Sequence, residues 1–173
     1  MDINRLTSYI VATSQRGEIM KGKFFWSIPS CVVILGLSAC SGSGGGFTSL
    51  TPSDGMVALP IARINDGSAH YFRVKADNGI TVSFFTLKSK DGTIRAAVDA
   101  CDVCFKAGKG YFQQGDFMVC ENCGQRFASA RINEVKGGCN PAPLSRSVEN
   151  GRLFISMKEI NSNSWYSQFK PQT

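Results

Sequence analysis

The chain has one histidine in 173 residues, and only 18% of its residues are charged. A single imidazole excludes His-rich metal sites. No hydrolase triad is present, nor a glycine-rich phosphate loop, nor a carboxylate pair that demands a catalytic reading. No apolar run after the first 40 residues approaches the roughly 20 residues a membrane-spanning helix needs. Sustained 3.6-residue periodicity is missing, so helix should be minor. There is no internal repeat beyond paired cysteines. What is present is a 43% hydrophobic content, which excludes a fully disordered chain. The net charge of +6 permits an anionic partner without demanding one, and nothing points to nucleic acid. The length suits one domain preceded by a leader.

The N-terminus reads as an address. Met20-Lys21-Gly22-Lys23 is basic, Phe24 to Leu37 is mostly apolar and uncharged, and Leu37-Ser38-Ala39-Cys40 follows. A basic segment, a short apolar core and small residues before the cut describe a secretory signal. The Leu-Ser-Ala-Cys ending resembles a bacterial lipobox, which implies that Cys40 is lipidated and becomes the first mature residue. Residues 1–19 then read as an over-extended start, residues 20–39 as the signal peptide and residues 40–46 as a Ser/Gly tether. The folded domain is expected over residues 47–173, outside the cytoplasm and held to the cell envelope by lipid. Counted from Cys40, 15 Lys and Arg stand against 11 Asp and Glu, a net charge of +4.

The remainder reads as short strands. Met56–Ile61, His70–Lys75, Ile80–Leu87, Thr93–Val98 and Leu153–Met157 are rich in branched and aromatic residues. Between them stand Asn65-Asp66-Gly67, Asp77-Asn78-Gly79, Asp91-Gly92 and Glu149-Asn150-Gly151. Such turns at spacings of about 8–12 residues argue for a compact all-β domain.

Seven cysteines carry the chemistry. Cys31 lies in the leader and Cys40 takes the lipid, which leaves Cys101, Cys104, Cys120, Cys123 and Cys139. Four of these form two C-x-x-C pairs separated by residues 105–119. A tight C-x-x-C turn points both sulfurs to one side, at the bite of a metal. Neither pair is followed by His, which excludes ordinary c-type haem attachment. Three readings stay open on spacing alone: structural disulfides, a zinc knot, and an iron–sulfur or other redox metal site.

The wider pattern runs Asp99-Ala100-Cys101-Asp102-Val103-Cys104-Phe105, Lys109-Gly110-Tyr111, Gly115-Asp116, Met118-Val119-Cys120-Glu121-Asn122-Cys123-Gly124, Phe127 and Gly137-Gly138-Cys139-Asn140-Pro141. With His70-Tyr71-Phe72, Ser83-Phe84-Phe85 and Asp91-Gly92-Thr93-Ile94-Arg95 upstream, it resembles the FtrD-like membrane iron–sulfur protein family as far as about Phe169. The resemblance implies a non-enzymatic electron carrier. It also implies a redox partner protein, with a periplasmic ferric-iron uptake system as one setting. Family members often follow several transmembrane helices; here a lipid anchor is expected instead. The order of the two C-x-x-C loops, Phe127 and a Gly/Pro loop is also similar to the Rieske layout, with Cys in place of two His. That implies a Rieske-like small β-domain whose two cysteine loops hold a [2Fe–2S] cluster. All-thiolate ligation should draw its potential towards the plant-type range of about −400 mV. A zinc- or Cu(I)-binding structural or metal-handling module is the rival function.

Cys139 sits in a tight loop and is expected beside the metal as a fifth ligand, a replacement ligand or a redox-sensitive thiol. Met118 reads as core rather than a copper thioether, and His70 as a strand residue rather than a ligand. Gly124 either turns backbone amides towards sulfur or is a plain turn glycine. Lys106, Lys109, Arg126, Arg131 and Lys136 flank the ligand segments, either as a solvated surface or as charges facing the thiolates and an acidic partner.

Overall fold

The chain divides into two units, Met1–Cys40 and Ser41–Thr173. The computed structural model describes residues 46–172, all in the second unit. The expected leader, Cys31, Cys40 and most of the tether lie outside the described residues. Among the described residues the fold is mostly β, with three sheets and one short α-helix.

The central sheet has the order β1-β3-β4-β5, made of β1 (Thr48–Leu50), β3 (His70–Lys75), β4 (Thr81–Lys88) and β5 (Ile94–Val98). Its β3–β4 and β4–β5 pairs are antiparallel, and β1 joins the edge parallel to β3. The turns leading into β4 and β5 are closed by Gly79 and Gly92, both near φ +84°, a region open to glycine at no steric cost. A second sheet has the order β2-β10-β9, from β2 (Met56–Pro60), β10 (Arg152–Ser156) and β9 (Ser147–Glu149). The third is the meander of β6 (Tyr111–Gln114), β7 (Phe117–Cys120) and β8 (Arg126–Ala128).

Strand alternation decides how these sheets stack, because successive side chains point to opposite faces. On β4, Val82 and Phe84 face one way and pack with Val57, Leu59, Leu153 and Ile155 of the second sheet. Phe85 and Leu87 face the other way and pack with Tyr111, Met118, Cys101 and Cys120. The same split places Ile94, Ala96 and Val98 of β5 in the first cluster and Ala97 in the second. Strands β4 and β5 are therefore covered on both faces, which accounts for their nearly unbroken apolar runs. Met118 is fully buried core, as its position on a β-prone run implies.

The expected strands fall within a residue or two of the observed ones. The late strand ends at Ser156, because Ser156 caps the helix α1 (Met157–Ser162) by accepting from the Glu159 N–H at 3.1 Å. That six-residue helix is too short to carry a readable period.

Two polar side chains tie the segment after β8 to β5. Arg95 is only 4% exposed, and its guanidinium donates to Ser89 Oγ, the Ile132 carbonyl, Glu134 and Asp91 at 2.5–3.1 Å. Asn133, held at φ +71°, accepts from the Ala96 N–H at 3.1 Å and donates to the Ala96 carbonyl at 2.7 Å. Its amide acts as a one-residue substitute for a neighbouring strand. Replacing Asn133 with Ala leaves the Ala96 N–H without its partner, while the Ala96 carbonyl keeps the Leu144 N–H at 3.0 Å. That should lower stability by about 1–3 kcal/mol, read as a drop in the denaturation midpoint. An unchanged midpoint would remove Asn133 from this role.

Candidate metal centre

The two C-x-x-C segments fold into the same local shape. In the first, the Cys101 carbonyl accepts from the Phe105 N–H at 3.1 Å; in the second, the Cys120 carbonyl accepts from the Gly124 N–H at 2.9 Å. Gly124 adopts φ +72° and so closes the second turn. A bond from the Glu121 N–H to the Gly110 carbonyl, 2.8 Å, ties the two knuckles together. The first knuckle follows β5 and the second ends β7, so the β6–β7 hairpin folds one back onto the other.

The third loop is positioned independently. Gly137 and Gly138 both have positive φ, and the Asn140 amide donates to the Gly137 carbonyl at 2.9 Å. The Ala142 N–H bonds the Ala100 carbonyl and the Val98 N–H bonds the Ala142 carbonyl. Tyr111 completes the attachment from below, its hydroxyl donating to the Cys139 carbonyl at 2.6 Å.

All five cysteines expected at the site come together here. The sulfurs of Cys101, Cys104 and Cys120 lie within 4.8 Å of one another, and so do those of Cys104, Cys123 and Cys139. Cys104 belongs to both sets. Four sulfurs at a tetrahedral zinc, with Zn–S near 2.3 Å, would stand roughly 3.8 Å apart, so either set supplies most of such a site. Five thiols in two overlapping sets also exceed what one ion takes, and all-thiolate donors are those that iron–sulfur clusters use. The residues present fit an iron–sulfur group, with Cys101, Cys104, Cys120 and Cys123 as holders and Cys139 against the outer pair.

The centre is graded from inside to outside. Cys101 and Cys120 are buried, Cys104 and Cys139 intermediate, and Cys123 exposed. Burial pushes the Cys120 thiol up to about 12, against the pull of the Cys123 and Asn122 N–H groups. Burial also raises Cys139. At Cys123 the Gln125 N–H prevails and lowers the thiol below its ordinary value. Further donors face sulfur: the Asn122 amide points to Cys104 Sγ at 3.4 Å and the Cys104 N–H to Cys101 Sγ at 3.3 Å. Hydrogen bonds to sulfur are among the terms that set the potential of an iron–sulfur centre.

An aromatic group flanks the shared cysteine. Phe105 meets Trp165, Tyr166 and Phe169 with ring centroids 5.0, 6.1 and 5.7 Å away. Trp165 and Phe169 are exposed. The hydroxyl of Tyr166 donates to Asp102, inside the first C-x-x-C turn. Tyr111, Asn122, Asp102 and Tyr166 were not singled out as site residues from sequence. Their contacts join positions up to 64 residues apart, and only the lone Tyr among the cysteine blocks hinted at one of them.

Other sequence candidates stand elsewhere. His70 lies with Nε2 2.8 Å from the Asp66 carboxylate. Arg126 stacks over the Phe117 ring at 4.6 Å. Lys106, Lys109, Arg131 and Lys136 are exposed.

If the Tyr111 hydroxyl holds the third loop, Tyr111→Phe should free it. Alkylation of Cys139 in metal-free protein should then accelerate several-fold, followed by peptide mass mapping, while Cys101 stays protected. Equal rates at Cys139 in both proteins would mean that the loop is held by its backbone bonds alone.

The family model described as membrane iron–sulfur containing protein, FtrD-like, matches residues 64–166, more than half of the chain and all five cysteines. No curated protein matches. Among solved structures, the quaternary ammonium Rieske monooxygenase CntA, determined with an inhibitor, is similar at 17% identity and a TM-score of 0.37. The likeness covers 57% of this chain and 30% of that one, so the chain spans less than a third of the monooxygenase.

Proposed function

Because the chain belongs to the FtrD-like family of membrane iron–sulfur proteins, we propose that it is an electron carrier of the cell envelope rather than an enzyme. The observation that carries this reading is the gathering of five cysteine sulfurs, from three loops, into two overlapping sets. Cys101, Cys104, Cys120 and Cys123 hold an iron–sulfur cluster, which supplies one-electron chemistry when bound. Cys139 stands over the outer pair. The chain's own part is to bury one end of the centre, aim amide donors at the sulfurs and leave Cys123 facing solvent.

A [2Fe–2S] cluster is the type that four thiolates in two pairs suit best. Service to periplasmic iron uptake, or to another envelope redox partner, belongs to the same proposal. The compactness of the Cys101, Cys104 and Cys120 set favours a second reading, in which one zinc or Cu(I) ion is held for structure or handling.

Protein purified without oxygen separates the two. An iron–sulfur centre gives broad visible absorption with iron and acid-labile sulfide; a zinc or Cu(I) form is colourless. Single Ser substitutions at Cys101, Cys104, Cys120 or Cys123 should abolish the colour and lower the thermal midpoint, since metal binding and folding are coupled. Cys139→Ser should keep the iron but alter air-sensitivity or potential. Full iron and sulfide in a Cys101→Ser, Cys104→Ser double variant would sink the four-ligand reading.

Membrane attachment through lipid at Cys40 completes the proposal. No helix among the described residues is long and apolar enough to cross a bilayer, and the family is described as membrane-associated. Cys40→Ser should release the protein from the membrane fraction or leave it as a longer precursor, because the acyl chains supply the anchoring. A processed Cys40→Ser protein that still sediments with membranes would refute the anchor.

A further inference from the structure

Trp165 and Phe169 are 42% and 49% exposed, and both rings lean on Phe105, at 5.0 and 5.7 Å between centroids. Trp165 also stacks on Tyr166 at 3.7 Å, and the Tyr166 hydroxyl donates to Asp102. The group is therefore held in place without being covered. Phe105 follows Cys104 in the chain, so the rings gather at the end of the first knuckle. Single exposed apolar residues are ordinary, whereas exposed rings grouped in this way mark a contact surface.

The C-terminal tail links that surface to the point where the described domain begins. The Lys170 ammonium donates to the Lys109 carbonyl, and Pro171 then lines a cleft together with Phe47. Two residues of tail thus separate Phe169 from the place where the N-terminal tether enters β1. From Cys40 to Phe47 the chain spans at most about 25 Å even when fully extended. A lipid at Cys40 therefore keeps this end of the domain within reach of the bilayer. The charges beside the rings balance: Lys106 and Lys109 are exposed, and so are Asp102 and Glu121. Apolar ring surface, not charge, distinguishes this face.

We propose that Trp165 and Phe169 seat in the interface of the lipid bilayer, so that the domain meets the membrane at a second point besides its anchor. The proposal rests on the lipid at Cys40 and stands whichever metal the cysteines hold. Tryptophan suits a bilayer interface, because its ring is apolar and its N–H is polar. Tethering raises the effective concentration of the second contact, so two rings suffice where they would not hold a free domain. Seated in this way, the domain turns Phe105 and the Cys104 end of the first knuckle towards the membrane.

The sequence has two tryptophans, so in the Trp26→Phe chain the fluorescence of Trp165 alone reports this face. That protein, purified from membranes, is reconstituted in phosphatidylcholine vesicles with or without bromine on the acyl chains near the headgroup. Brominated lipid should quench Trp165 relative to plain lipid, and raised salt should leave the quenching in place. Adding Phe169→Asp should remove most of the quenching while the protein stays in the membrane fraction. Adding Val148→Asp, exposed on β9, should match the parent. An acylated protein whose Trp165 is not quenched would overturn the proposal and leave the rings to a protein partner. Equal quenching with and without Phe169→Asp would overturn it too. Mass spectrometry at Cys40 reports the anchor separately. If Cys40 carries no lipid, the anchor reading falls, and adding the same vesicles to the protein still decides: quenching supports the seated rings, and its absence overturns them.

Discussion

Two cysteine knuckles fifteen residues apart can serve one centre only if the chain between them folds back and lands on the end of β5. The Asp99 carboxylate is the point on which that landing turns. It receives the Tyr111 N–H at the start of β6, and its second oxygen takes the Lys170 ammonium. Burial drives its carboxyl up to about 6, even with the Lys170 charge pulling it down. An isolated carboxylate in such a place would be costly, and removing either member of a buried pair leaves an uncompensated charge. Gly110 is the steric counterpart: a Cβ there would fall 2.3 Å from Asp99 Oδ2. Close approach of backbone to carboxylate is what lets Gly110 accept from Glu121 and so join the knuckles.

The strands between His70 and Val98 were readable because two local signals agree there. Branched and aromatic residues alternate or run together, and Asn-Gly and Asp-Gly mark the turns where positive φ is needed. The cysteine spacing was readable for a similar reason, since a knuckle is a local shape. What stayed hidden depends on long-range pairing. The three residues of β1 are recruited by the β3 edge, more than 20 positions away. Arg95 is a charged residue on a strand, and it is buried because four acceptors from two segments converge on it. Asn133 belongs to no strand, and its side chain occupies the place of a strand partner.

The candidate site shows the same division. Five cysteines could be named from sequence, but their grouping could not. Spacing pairs Cys101 with Cys104 and Cys120 with Cys123, whereas the fold sets Cys120 beside the first pair and Cys123 beside Cys139. The regrouping follows from the hairpin, because Cys120 ends a buried strand against Tyr111 while Cys123 lies in the exposed turn beyond it. Each C-x-x-C unit sets its first sulfur, Cys101 or Cys120, inward and its second, Cys104 or Cys123, nearer the surface.

All five cysteines, Asn122 and Tyr111 lie within the segment that matches the family, residues 64–166. Phe169 and Lys170 lie beyond it and still reach the backbone that leads into β6. Lys170 also neutralises Asp99, and a Cβ at Gly108 would strike the Phe169 carbonyl at 2.5 Å. The C-terminal segment therefore braces the Gly108–Tyr111 backbone. Because Gly110 also accepts from Glu121, the tail and the second knuckle are joined through this one stretch of backbone.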